Sequence, residues 1–276
     1  MKKTISLCRM KENTQLSSER KSLEKSVVAS LDGTDNELYP YLPYILQDLW
    51  EIGSDPDPVI QLINKHSIDA ADLKVLDLGC GKGAVSIQAA KSLGCSCYGI
   101  DAVPEFIEYA REKAEGFEVE HLCKFVQGDI REEVKHLHGY DAIILGSIGP
   151  VFGDFYLTLT TLSNCINNNG LLIIDEGYMD DNSPYTHQGI QKRGEILQQI
   201  EMAGMQLIDE KILPREDINQ SNEQILGKIQ SRCSELMKKH PDKKDLFLGY
   251  IKKQKQENVV LENKAICSTM VIQKKS

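Results

Sequence analysis

Long apolar runs are missing from this 276-residue chain. None approaches the roughly 18 consecutive residues that a membrane-spanning helix requires, so no membrane partner is expected. A secretory leader is missing as well. Met1-Lys2-Lys3 begins like one, but only Ile5 and Leu7 come before Arg9, too few for an apolar stretch. The eight cysteines (Cys8, Cys80, Cys95, Cys97, Cys123, Cys165, Cys233 and Cys267) include no Cys-x-x-Cys pair and no Cys/His grouping at zinc spacing. They read as reduced thiols acting as small hydrophobes, and no metal site is expected. These absences predict a soluble, cytoplasmic protein. There is no internal repeat and no low-complexity tract.

A surplus of positive charge is also missing, since 32 Lys and Arg stand against 41 Asp and Glu, a net −9. The deficit is uneven: residues 228–276 carry a balance of +7 and residues 1–25 one of +4, leaving −20 for the middle. An acidic centre repels phosphate backbones, so no nucleic acid is expected as the main substrate. Hydrophobic residues at 41% are enough for a full core in a chain of this length.

Residues 1–25 are polar without apolar periodicity and predict a frayed or lid-like start. Residues 26–70 predict helices broken by Gly33, Pro40, Pro43, Pro56 and Pro58, with Tyr39, Tyr41, Tyr44 and Trp50 crowded among them. From Leu73 onward, short apolar runs alternate with helical stretches. The runs are Lys74–Leu78, Ser96–Ile100, Cys123–Val126, Ala142–Leu145 and Leu171–Ile174. Near-continuous apolar runs suit strands buried on both faces. The helical stretches are 83–94, 104–115, 130–138 and 152–168. This alternation means a parallel sheet with right-handed crossovers. A polar loop over 177–189, a helix over 190–203, a strand at Met205–Leu213, helices across 216–263 and a last strand at Ile266–Ile272 complete the pattern. The expected organisation is an N-terminal helical lid or cap, 1–70, and a main α/β domain, 71–276, with a helical insertion at about 216–263.

The chemistry concentrates at strand ends. Leu76-Asp77-Leu78-Gly79-Cys80-Gly81-Lys82-Gly83 lies at a strand-to-helix turn. Gly79 and Gly81 let the backbone turn tightly and approach a ligand, and the helix that follows offers free N–H groups. Asp101 ends the next strand, where a carboxylate can accept from both hydroxyls of a ribose. Gly128-Asp129 ends the third strand and can meet the exocyclic amine of an adenine. Gly146-Ser147 ends the fourth. Helix capping is the alternative role for Asp101 and Asp129. Gly79-x-Gly81-x-x-Ala84 also fits a dinucleotide fingerprint. Asp77 speaks against that reading, because it would repel a pyrophosphate but can hold a cationic amine.

The arrangement resembles the class I S-adenosylmethionine-dependent methyltransferase family, small-molecule type. The resemblance is carried by D-L-G-C-G-K-G (77–83), with G-I-D (99–101), Q-G-D-I (127–130) and Y-D-A-I-I-L (140–145), and covers about 73–213 and the final strand. It implies a doubly wound, mostly parallel seven-stranded sheet, the Rossmann-like methyltransferase fold, whose last strand is antiparallel. It implies S-adenosyl-L-methionine as cofactor. Asp77, Gly79, Cys80 and Gly81 would line its methionine part, Asp101 with Ala102 the ribose, Asp129 with Ile130 the adenine, and Gly146-Ser147 the neighbouring edge. It implies in-line methyl transfer to a small-molecule acceptor, which demands alignment and exclusion of water more than a catalytic triad.

Acceptor contacts are expected from Tyr44, Trp50 and Glu51 in the N-terminal segment and from Glu176 and Tyr178 after the fifth strand, with His187 a further loop candidate. Three acceptor chemistries are disfavoured. The (D/N)-P-P-(Y/F) motif of base-amine methylation is replaced by Gly146-Ser147-Ile148-Gly149-Pro150. Asp175 with Asp180 or Asp181 lacks a distinctive metal spacing, and Cys80 with Cys165 gives no metalloid signature. Two other readings stay open: a nicotinamide-dependent oxidoreductase and a non-catalytic cofactor-binding protein. The sequence leaves the oligomeric state open.

Overall fold

The computed structural model describes residues 18–275. Seven strands, β1 (Lys74–Leu78), β2 (Ser96–Asp101), β3 (Cys123–Gln127), β4 (Tyr140–Gly146), β5 (Ile166–Met179), β6 (Met205–Ile212) and β7 (Ala265–Lys274), form one sheet. Their order is β3-β2-β1-β4-β5-β7-β6. The first five pair in parallel, and β7 runs antiparallel between β5 and β6. The expected doubly wound sheet is therefore present, with its last strand reversed. Val75, Leu76, Leu78 and Ala142–Leu145 are all buried, which is why these runs carry no polar alternation.

Helices α3 (Pro56–His66), α4 (Ala84–Leu93) and α5 (Pro104–Gly116) cover one face. Val59, Ile63, Ile87 and Ile107 there meet Val75, Phe125, Ile144 and Ile173 of the sheet. Helices α6 (Ile130–Glu133), α7 (Phe155–Leu162) and α8 (Arg193–Met202) cover the other, where Leu159, Leu162 and Ile196 meet Leu76, Ile143 and Ile174. The boundaries follow local chemistry. Pro56 and Pro104 open their helices, and the side chains of Asp55, Asp129 and Asp154 accept from first-turn amides.

A third cluster lies outside the sheet layers. Helix α1 (18–30), a 3-10 turn (Asn36–Tyr41) and α2 (Leu42–Ile45) pack on α9 (Arg215–Lys239) and α10 (Lys244–Asn263). Val28, Leu38, Leu42, Ile45 and Leu46 share this core with Ile229, Leu236, Phe247 and Tyr250, and Val103, just before α5, with Phe106 of α5 ties it to the sheet.

Some elements differ from expectation. The polar stretch 1–25 falls partly outside the described residues, but 18–25 is helical and continues into 26–30. Helix α6 is one turn instead of the 130–138 stretch, because Lys135 and His136 already bond three residues back and Gly139 takes φ +80°. Strand β5 runs far beyond Leu171–Ile174. Its Glu176–Met179 end outlasts β4 because β7 supplies partners as far as Ala265. No helix among the described residues is long and apolar enough to cross a membrane.

Candidate functional site at the carboxyl edge of the sheet

β1 and β4 are neighbours, but the chain leaves them in opposite directions, towards β2 and β5. That reversal opens a crevice at their carboxyl ends, where open α/β sheets bind ligands. Gly79–Gly83 turns over it. The amides of Gly79 and Cys80 both donate to the Ile100 carbonyl, at 2.8 and 3.0 Å, fastening the turn to the end of β2. Gly79 has φ +74°, and a Cβ there would lie 2.6 Å from Ile148 Cγ2. Gly81 has φ +52°, and a Cβ there would meet nothing nearer than Ile52 Cβ at 4.0 Å. Gly79 thus admits a neighbouring loop, while Gly81 borders open space. The Cys80 thiol is buried, which pushes its pKa well up, so it is inert beside a useful backbone.

Three carboxylates follow at successive strand ends. Asp77 is 3% exposed and accepts from Ser86 Oγ at 2.6 Å. Burial, with help from the nearby Asp101 charge, lifts its pKa to about 6. Asp101 accepts the Gly81 amide on Oδ2 at 2.8 Å and the Val103 amide on Oδ1 at 2.9 Å, bracketing Ala102. Burial raises its pKa, and these backbone bonds oppose the rise. Asp129 caps α6 and is gripped by Arg131, whose Nε and Nη2 reach its two oxygens at 2.9 and 2.6 Å. Burial would raise the Asp129 pKa, but Arg131 outweighs it and holds the group below its ordinary value. Arg131 also donates to Ser22 of α1 at 3.3 Å. Ile130 turns into the core beneath α6. Arg131 went unnoticed in the sequence, although its place two residues after an N-cap aspartate was a usable signal.

At the β4 and β5 ends, Ser147 adopts φ +54° and its amide donates to the Asp175 carbonyl at 2.9 Å. The Asp175 carboxyl is buried and receives Ser54 Oγ and Thr269 Oγ1, and burial lifts its pKa to about 6. Gly146 lies against Ser54, and Gly53 against Ser147, so residues 52–54 sit on this edge. Ile52 and Gly53 belong to the Trp50–Gly53 stretch expected near the acceptor, whereas Ser54 carried no sequence signal.

The same segment is clamped from below. Lys82 is 4% exposed, and its ammonium donates to the carbonyls of Leu46, Gln47 and Leu49 at 2.7, 3.2 and 2.6 Å. Burial draws its pKa down to about 8. Trp50 Nε1 returns a bond to the Lys82 carbonyl at 3.1 Å.

The expected acceptor residues divide. Tyr44 donates to Glu235 of α9, with Arg232 and Lys239 over its ring. Trp50 packs on Phe117 at 5.1 Å, and Glu51 accepts from Gln88 of α4 at 3.1 Å. These contacts fasten the segment to α9, α4 and Phe117. Tyr178 is buried and its hydroxyl accepts from Arg193, which also pairs with Glu210. His187 leans on Glu257 of α10 at 3.6 Å instead of facing solvent. Glu176 alone borders a cavity, of about 260 Å³, together with Ile148, Phe152, Phe155, Ile174 and Ile196. Burial, then the adjoining Asp175, pushes the Glu176 carboxyl up to about 7.

Residues 69–256 match a family model described as methyltransferase domain. A probable cobalt-precorrin-6B C(15)-methyltransferase (decarboxylating) of Saccharolobus solfataricus is 29% identical over 116 residues, 41% of this chain and 56% of that protein. The chain thus spans about half the length of this curated relative. Two crystal structures of S-adenosylmethionine-dependent methyltransferases in complex with S-adenosyl-L-homocysteine share the fold. The one from Thiobacillus denitrificans has a TM-score of 0.68 at 15% identity, over 85% of this chain and 98% of that one. The one from Geobacter sulfurreducens has a TM-score of 0.70 at 14% identity, over 86% and 98%.

Proposed function

The chain belongs to the methyltransferase-domain family, and from that membership we propose that it binds S-adenosyl-L-methionine and methylates a small-molecule acceptor. The carrying observation is the pairing of Gly81 with two carboxylates. Its missing Cβ borders open space, its amide orients Asp101 together with that of Val103, and Asp77, buried with Ser86 as its hydrogen-bond partner, is close enough to feel the Asp101 charge. These groups fit an adenosyl amino acid. Asp77 would hold the ammonium, and Asp101 has lone pairs left for ribose hydroxyls. Asp129 and the Ile130 backbone would border the adenine, with Arg131 fixing the carboxylate. When bound, the cofactor supplies a sulfonium methyl with a thioether leaving group.

The remaining residues orient and exclude water. Lys82 and Trp50 hold residues 46–50 against the glycine turn, so Ile52–Ser54 close over the crevice. Of the 1–70 segment expected to form the cap, residues 18–54, with α9 and α10, act in this reading as a cap over the α/β domain, while α3 belongs to the helical layer on the sheet itself. Seven described cysteines are free, which supports a reducing, cytoplasmic setting.

Calorimetric titration of the full chain with S-adenosylhomocysteine, and separately with a nicotinamide dinucleotide, tests the proposal. Saturable binding of the first and none of the second is expected. The reverse result would give the protein to the oxidoreductases.

A further inference from the structure

Resting on that reading, we propose that the cavity beside Glu176 takes an amine: a small acceptor with an apolar body and a protonatable nitrogen, held at the Glu176 carboxylate. The cavity is bounded by the ends of β4 and β5, the 148–155 loop, α7 and α8. Its walls are largely apolar, with Phe152 and Phe155 offering ring surface and Ile174 and Ile196 the floor. About 260 Å³ suits one small ring with a short side chain.

The charges in it have one sign. Asp154 and Glu176 are the two ionisable side chains on the lining, and no Lys, Arg or His lines it among the described residues. Asp154 is already engaged, since its Oδ1 caps α7 through the Leu157 amide at 2.9 Å. The nearest cation on α8, Arg193, is held by Glu210 and Tyr178. Among the described residues Glu176 has no ion-pair partner, and the Gly177 amide opposes the rise in its pKa. A carboxylate in an apolar wall without a counter-ion repels phosphates and carboxylates and gains most from an ammonium. Its raised pKa accords with that isolation.

Position ties the cavity to the cofactor crevice. Ile148 lines the cavity, and its Cγ2 is the atom that the missing Gly79 Cβ leaves room for. The cavity is therefore separated from the glycine turn by the Ile148 side chain. The proton balance is simple. An ammonium R–NH3⁺ gives one proton to the Glu176 carboxylate, leaving a neutral amine with a free lone pair and an uncharged carboxylic acid.

Titrating the full chain with 2-phenylethylamine, 2-phenylethanol and phenylacetate, with and without saturating S-adenosylhomocysteine, tests this, because the three probes share a ring and differ in head group. The amine is expected to bind about tenfold or more tightly than either of the others. Glu176→Gln is expected to lose about tenfold in amine affinity while keeping its circular dichroism spectrum and its affinity for S-adenosylhomocysteine. Equal or tighter binding of the alcohol or the carboxylate, no binding by any of the three, or unchanged amine affinity in the variant would overturn the proposal. Failure of S-adenosylhomocysteine to bind, with the amine preference intact, would sink the cofactor assignment alone.

Discussion

Gly81 and Asp101 are joined by one hydrogen bond of 2.8 Å, and each is useful for what it leaves free. Gly81 leaves space, and Asp101 leaves lone pairs. Valine at 81 would put a branched side chain into that space at φ +52°, where β-branched residues are strained. Gly81→Val is therefore expected to abolish S-adenosylhomocysteine binding in calorimetry, with Gly81→Ala intermediate. Tight binding by the valine variant would place the ligand elsewhere. Asp101→Ala removes an acceptor shared by protein amides and the proposed ribose. Its affinity should fall by about 1–3 kcal/mol, roughly 5- to 150-fold. Unchanged affinity in a variant with native circular dichroism would refute the ribose role.

At the scale of elements, the N-terminal segment is held to the glycine turn by a buried lysine. Near neutral pH its ammonium has three protons for three carbonyls, those closing α2 and the turn after it. Lys82→Ala strands those acceptors and should destabilise the fold by about 2–4 kcal/mol. Limited proteolysis should then cut first within 31–55, and retention of wild-type protection there would contradict the clamp. The parallel sheet was legible because its strands are buried on both faces and its helices start at Pro, Asp or Gly. The glycine turn and Asp101 were legible because their spacing is local. Lys82 was not, since nothing near it in sequence reveals partners 33 to 36 residues upstream. The partners of Tyr44 and Trp50 were hidden for the same reason: an aromatic cluster does not show in sequence that it packs on α9 and Phe117. Glu176 was visible as a strand-end residue, but its separation from Tyr178 came only with Arg193.

For the whole molecule, five carboxyls carry raised pKa values through burial: Asp32, Asp77 and Asp175 near 6, Glu176 near 7, and Asp101 in the same direction. The folded state holds these protons more tightly than the unfolded chain does. Their contribution is therefore favourable below about pH 4 and is lost as pH rises towards 7. Asp48, Asp129 and Asp209 are lowered by Arg232, Arg131 and Lys65 and act in the opposite sense, losing their contribution as pH falls below about 4. Thermal melts should accordingly show Tm highest near pH 5 and declining towards pH 7.5, with less decline when S-adenosylhomocysteine supplies an ammonium to Asp77. A Tm that climbs across that interval would contradict these assignments. The outer cluster built from α1, α2, α9 and α10 has a further consequence, one for biosynthesis. Leu38, Leu42, Ile45 and Leu46 leave the ribosome roughly 200 residues ahead of Phe247, a wait of about 10–40 s at about 5–20 residues per second. Through that interval the nascent chain displays sticky side chains whose partners have not been translated, which makes it a client for holding chaperones until the final helices emerge.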